Sequence, residues 1–171
     1  HMWEEPFISG ERGSGAIFFC GCNLKCVFCQ NYDISNGRIG EKYDATALAK
    51  LMLRLENKGA HNINLVSPAP YVPVIAEAII HARKLGLTVP IVYNTNAYET
   101  VDTIRQLDGL VDIYLPDLKY IDSGISKKYS GAADYFEYAS EAINEMYRQC
   151  GLLELDELGI ARKGIVIRHL V

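Results

Sequence analysis

The sequence predicts an α/β fold of parallel βαβ units in a single domain spanning residues 1–171. Short apolar or β-branched runs alternate with longer stretches of helical spacing, and that order implies right-handed crossovers onto a parallel sheet. Apolar residues make up 49% and charged residues 22% of the chain, enough apolar mass for one sizeable core and unlike a disordered or fibrous composition. No repeat, low-complexity tract or linker divides it.

Strands are expected at Ala16–Cys20, Ile63–Ser67, Pro90–Thr95, Val111–Leu115 and Gly164–Val171. Between the first two, Leu48, Leu51, Met52 and Leu55 follow the i, i+3, i+4, i+7 rule, with Asp44 as N-cap and Gly59 as stop. Val72, Ile75, Ala76, Ile79 and Ile80 repeat that pattern up to Arg83-Lys84 and Gly86. A shorter helix is expected over Tyr98–Leu107. Asp134 and Glu137 have capping-box spacing for a helix to Cys150-Gly151, striped by Ala139, Ile143, Met146 and Tyr147. Periodicity does not separate an open sheet from a curved partial barrel, but in both the C-terminal strand ends carry the site.

The net charge of −4 and scattered basic residues, whose longest run is Lys127-Lys128, argue against a nucleic-acid partner. No stretch is long enough for a membrane span, and no export signal is visible. Cytoplasmic localisation is expected. The chain ends at Val171, inside the fifth expected strand. An incomplete core with an unpaired sheet edge is therefore expected, and a homodimer through that edge is one way of covering it.

Four of the five cysteines, Cys20, Cys22, Cys26 and Cys29, lie within ten residues, whereas Cys150 stands alone. A disulfide framework would spread them, so the cluster reads as a metal site in a reducing compartment. Cys22, Cys26 and Cys29 follow the first strand, and three thiolates on one tight loop can each hold one iron of a cubane, leaving the fourth iron open. Gly21 helps the chain turn out of the strand. With Cys20 as a fourth ligand, the same loop also fits a non-catalytic zinc or iron–sulfur domain.

The CxxxCxxC spacing with Phe28 before the last cysteine resembles the radical S-adenosylmethionine (SAM) superfamily signature. The strings Ile8 to Gly15, Cys29-Gln30-Asn31, Tyr114 to Tyr120 and Arg168-His169-Leu170 are similar to homologues of pyruvate formate-lyase activating enzyme. The resemblance implies a partial TIM-type barrel of about five strands, a radical SAM core lacking its last strand. It also implies a [4Fe–4S] cluster on Cys22, Cys26 and Cys29 whose free iron is chelated by SAM. An electron donor such as flavodoxin or ferredoxin would reduce the cluster; cleavage of SAM would yield a 5′-deoxyadenosyl radical that abstracts hydrogen. In the activating-enzyme branch the substrate is a backbone glycine of a glycyl-radical enzyme.

By the same resemblance, Lys119 meets the SAM carboxylate, Asp117 the ribose, and Arg168 lies near SAM. Asp117 and Lys119 lie two apart and project to one face, although a solvated loop would also carry them. Asn94 and Asn96 share a face likewise and suit SAM's amino or ribose groups; Asn96 also suits a helix cap. Activating enzymes have Asp at Asn94, where it helps hold a monovalent cation, so the neutral amide departs from that pattern. Ser67 and Pro68 stand where relatives have a Gly-Gly-Glu turn, and their carbonyls remain acceptors for the SAM ammonium. A Pro-rich helix start would use the same residues. No residue is singled out as catalytic.

Overall fold

The computed structural model describes residues 1–169 apart from Trp3 and Arg38. Its helices are α1 (Pro6–Ser9), α2 (Tyr32–Ser35), α3 (Ala45–Asn57), α4 (Val72–Lys84), α5 (Val101–Arg105), α6 (Ser123–Ser130) and α7 (Tyr135–Cys150). The strands are β1 (Gly15–Phe18), β2 (Ile63–Val66), β3 (Ile91–Thr95), β4 (Ile113–Pro116), β5 (Glu154–Leu155) and β6 (Ala161–Ile165). They form one sheet in the order β1-β2-β3-β4-β6-β5, which does not close. All neighbours pair in parallel except β5, which is antiparallel to β6. This is the parallel α/β architecture expected, with six strands where about five were expected.

Both faces of the sheet are buried, as parallel strands require. On one face Ile63, Leu65, Ile91, Tyr93 and Tyr114 pack against Leu48 and Met52 of α3, Ile75 and Ile79 of α4, and Met146 of α7. Side chains this deeply buried each contribute about 1.5–3 kcal/mol, so this layer dominates stability. The opposite face carries Val92, Ile113, Leu115 and, from β6, Ala161, packed with Ile8 of the N-terminal segment.

Helix ends follow their local chemistry. Asp44 accepts the Ala47 N–H at 2.7 Å and starts α3, and Thr100 accepts from Thr103 to start α5. The expected box at α7 does not form. Glu137 is in the first turn, but Asp134 makes no side-chain cap; its Oδ1 instead accepts the Tyr98 hydroxyl at 2.7 Å. Tyr147, expected on the buried stripe, is half exposed, while Ala139, Ile143 and Met146 are buried.

The C-terminal region differs most from expectation. α6 occupies a stretch for which no element was expected; Asp122 caps Ile125 N and Gly131 ends the helix at φ +79°. β6 begins earlier than expected and ends at Ile165, after which Arg168 alone bridges to Asp117. Leu170 and Val171 lie outside the described residues. The margin expected to be bare is partly covered, since β5 pairs along Ala161 and Lys163. The chain leaving α7 crosses β6 closely at Gly164, where a Cβ would lie 2.3 Å from the Leu152 carbonyl oxygen. No helix among the described residues is long and apolar enough to cross a membrane.

Candidate functional site

The C-terminal ends of β1 to β4 and the segment after β6 surround a cleft of about 620 Å³. Cys22, Cys26, Cys29 and Phe28 line one side. Ser67, Asn94, Asn96, Asp117, Lys119 and Arg168 line the rest. Residues as far apart in sequence as Cys22 and Arg168 thus meet in one cleft, which holds all but one of the expected site residues. The exception is Pro68. Its carbonyl accepts the Tyr71 N–H at 2.9 Å inside the short 3-10 turn Ala69–Tyr71, so it is committed to the helix start.

The cysteine loop leaves β1 through Gly21, whose φ of +81° suits glycine. Each thiol has a polar neighbour. Asn96 Nδ2 donates to Cys22 Sγ at 3.3 Å, Ser130 Oγ donates to Cys26 Sγ at 2.9 Å, and Cys29 Sγ donates to Ser35 Oγ at 3.4 Å. Burial pushes the Cys26 thiol up, and the neighbouring Cys22 and Cys29 add to this; the Ser130 hydrogen bond and Lys119 ammonium pull it down. Cys20 turns away, its thiol donating to the Ile39 carbonyl, and does not line the cleft. Cys20 thus shares the loop but not the cleft lining with the other three.

The donor set fits an iron–sulfur cluster. A cubane spreads its thiolates over separate irons, which three cysteines lining one cleft can do.

Opposite the cysteines is a charged array. Lys119 Nζ lies 2.6 Å from Asp117 Oδ2, and Arg168 Nε lies 3.0 Å from Oδ1. Arg168 Nη2 also donates to Asn94 Oδ1 at 2.6 Å, and Nη1 lies 3.6 Å from Glu5. The opposite charges expected on one face do meet there, rather than dispersing into a solvated loop. Asn96 caps no helix; its Oδ1 accepts the Tyr98 N–H within the turn after β3, while its amide reaches Cys22 and Asn23.

Two residues that are not glycine hold left-handed backbone at this rim, Ser67 at φ +57° and Ala97 at +62°. Such strain gathers where surrounding structure imposes a geometry. Ser67 N–H is tied to the Asn94 carbonyl at 2.9 Å. Beneath Ala97, the buried Glu99 carboxyl accepts from Tyr93 Oη at 2.7 Å and Thr95 Oγ1 at 2.5 Å, and burial holds its pKa above the usual carboxylate range.

Sequence reasoning missed Glu4, Gln30, Asn31 and Thr95, which also line the cleft. Gln30 and Asn31 directly follow the last cysteine and were legible as its neighbours. Glu4 had no signal; it arrives because the segment before β1 folds over the open face of the sheet. Burial and the adjacent Glu5 push its carboxyl up.

Comparison with known proteins agrees with this geometry. Residues 16–150 match the family model of the radical SAM superfamily. An uncharacterised protein of Methanocaldococcus jannaschii is 32% identical, the alignment covering all of this chain and 47% of that protein. The chain thus spans about half the length of the curated relative it matches. Among solved structures, Streptococcus suis SuiB bound to precursor peptide SuiA aligns over 89% of this chain and 31% of its own, with TM-score 0.58 and 18% identity. SuiB bound to S-adenosylmethionine gives 0.55 and 17% over 89% and 30%. At such identities the likeness shows the fold, that of an open, mostly parallel sheet. With the family match spanning most of its length and three cysteines at the strand ends, the chain belongs to the radical SAM superfamily.

Proposed function

We propose that this chain is the core of an enzyme that binds SAM beside a [4Fe–4S] cluster and uses the pair to abstract a hydrogen atom from a substrate. The observation that carries the proposal is the single cleft in which three thiols face the Asp117, Lys119 and Arg168 array. When bound, cluster and SAM supply one-electron cleavage of the sulfonium and hydrogen-atom abstraction.

The chain's own residues supply position and charge. Cys22, Cys26 and Cys29 hold the cluster, with Asn96 and Ser130 donating hydrogen bonds to Cys22 and Cys26. Lys119 and Arg168 offer cations to a carboxylate, and Asp117 holds both in place until then. Asp117 and Asn94 offer acceptors to ribose hydroxyls or an ammonium. Ser67 contributes backbone at the rim, and Phe28 an apolar surface beside the last cysteine.

A glycyl-radical enzyme offering a backbone glycine is the substrate we propose. The support is the resemblance of the cysteine loop and of Tyr114 to Tyr120 to activating enzymes. Anaerobic reconstitution followed by SAM and dithionite tests the chemistry: 5′-deoxyadenosine should form, and its absence from a fully loaded sample would refute the proposal. A glycyl radical in an added partner, detected by electron paramagnetic resonance, tests the substrate.

A further inference from the structure

The cysteine loop has a second side, facing away from the cleft. There α6 is stitched to it by two backbone hydrogen bonds: Lys25 N–H to the Ser130 carbonyl and Val27 N–H to the Tyr129 carbonyl, both 2.9 Å. The Ser130 hydroxyl at the end of α6 is the one that donates to Cys26 Sγ. The buried face of α6 is therefore one short side chain away from a cluster thiol, and its outer surface lies one helix width further out.

That surface is apolar at its centre and basic at its edge. Ile125 and Tyr129 lie four apart on α6 and are 49% and 38% exposed; Ile121, just before the helix, is 76% exposed, and Val27, hydrogen-bonded to Tyr129, is 72% exposed. Lys25, Lys127 and Lys128 are all exposed around it, with Lys128 Nζ 4.9 Å from the centre of the Tyr129 ring. Among the described residues no carboxylate lies within ion-pairing distance of these lysines. The nearby Asp122 sits at the other end of α6, capping Ile125 N–H. In a chain of net charge −4 this is a local reversal of sign. Exposed apolar surface with a one-signed rim marks an interaction site.

We propose that the α6 face is the docking surface for a small acidic one-electron carrier protein, which reduces the cluster from the side opposite the cleft. The inference rests on the function proposed above, since that chemistry consumes an electron which SAM and substrate, filling the cleft, do not supply. The carrier is oxidised by one electron and the thiolate-held centre reduced by one; no bond is made or broken in the transfer. Charge complementarity selects an acidic partner, and proximity to Cys26 selects a redox one.

The probe is an acidic flavodoxin titrated calorimetrically into the cluster-loaded protein under anaerobic conditions. Binding should weaken as salt rises. The Lys127→Glu/Lys128→Glu double variant should weaken it by about tenfold or more at low salt, since opposed charges become like charges; Ile125→Glu should weaken it too. A charge-matched control on α3, Lys50→Glu/Arg54→Glu, should leave it unchanged. No binding by the native chain, or equal loss in the α3 control, overturns the proposal. Dithionite-driven formation of 5′-deoxyadenosine, which needs no docking, separates the two readings. If it persists while flavodoxin binding ignores α6, docking is wrong and the enzyme reading stands; if it is absent, the enzyme reading fails first.

Discussion

Arg168 and Asp117 meet across the parallel bridge beyond β4, with Arg168 Nε 3.0 Å and Nη2 2.9 Å from the same carboxylate oxygen, while Lys119 takes the other. One carboxylate therefore organises both cations of the cleft. Replacing Asp117 with Ala should lower SAM affinity by about tenfold, the worth of a charged hydrogen bond. Thermal stability should move little, because the pair is partly solvated and screened. Calorimetric titration of SAM into the reconstituted variant measures the first, and a melting curve the second. Unchanged affinity would remove Asp117 from the site.

The cysteines divide three to one. Cys22→Ser, Cys26→Ser and Cys29→Ser should each lose most bound iron after reconstitution, whereas Cys20→Ser should retain it, because Cys20 bonds to Ile39 outside the cleft. Iron content and visible absorbance read this directly. Loss of iron in Cys20→Ser alone would restore the four-thiolate reading.

Gly164 and Gly109 both have positive φ, +115° and +73°, but different surroundings. Gly109→Ala meets nothing within 4 Å and should cost about 1 kcal/mol from backbone strain alone. Gly164→Ala drives a methyl into the Leu152–Leu153 backbone and should cost about 3 kcal/mol. Urea denaturation of both variants checks the contrast, and similar midpoints would contradict the close crossing.

Two buried carboxyls should bend the pH dependence in opposite directions. Hydrogen bonds from Arg148, then Gln149, pull Glu145 down to about 2. Its stabilisation is present above the unfolded carboxyl value of about 4.3 and is lost as pH falls below that. Glu99 is raised by burial, so its contribution is complete below the unfolded value and is lost as pH rises through the folded one. Glu145→Gln should flatten the acid limb of a stability profile. Glu99→Gln, which can still bond Tyr93 and Thr95, should flatten the fall on the other limb. Denaturation midpoints across a pH series would show either slope persisting if the assignments are wrong.

Much of this architecture was legible in the sequence because apolar runs and caps agreed. Asp44, Gly59 and the Leu48–Leu55 spacing fall where α3 begins, ends and packs. α6 was not legible, since Ser123–Ser130 carries only Ile125 and Tyr129 as large apolar residues and both are exposed rather than buried. β5 is too short for a pattern of alternation to register. At α7, a tertiary partner, Tyr98, claimed the carboxylate that local spacing assigned to a cap. In the cleft, the cysteine spacing, the strand-end positions and the family resemblance together identified most of the lining. Pro68 and Glu4 escaped because carbonyl direction and chain folding over the sheet leave no trace in composition.

Tyr135 joins two margins of the cleft. Its hydroxyl oxygen lies 2.9 Å from the Asn96 carbonyl and 2.6 Å from that of Asp117, and it accepts the Lys119 N–H at 3.0 Å. Rooted in α7 and fully buried, the ring ties the turn after β3 to the exit of β4. The amide that touches Cys22 and the carboxylate that organises the cations thus share one anchor. A ligand spanning them meets a grip whose ordering entropy was already spent during folding, so more of its contact energy is left for affinity.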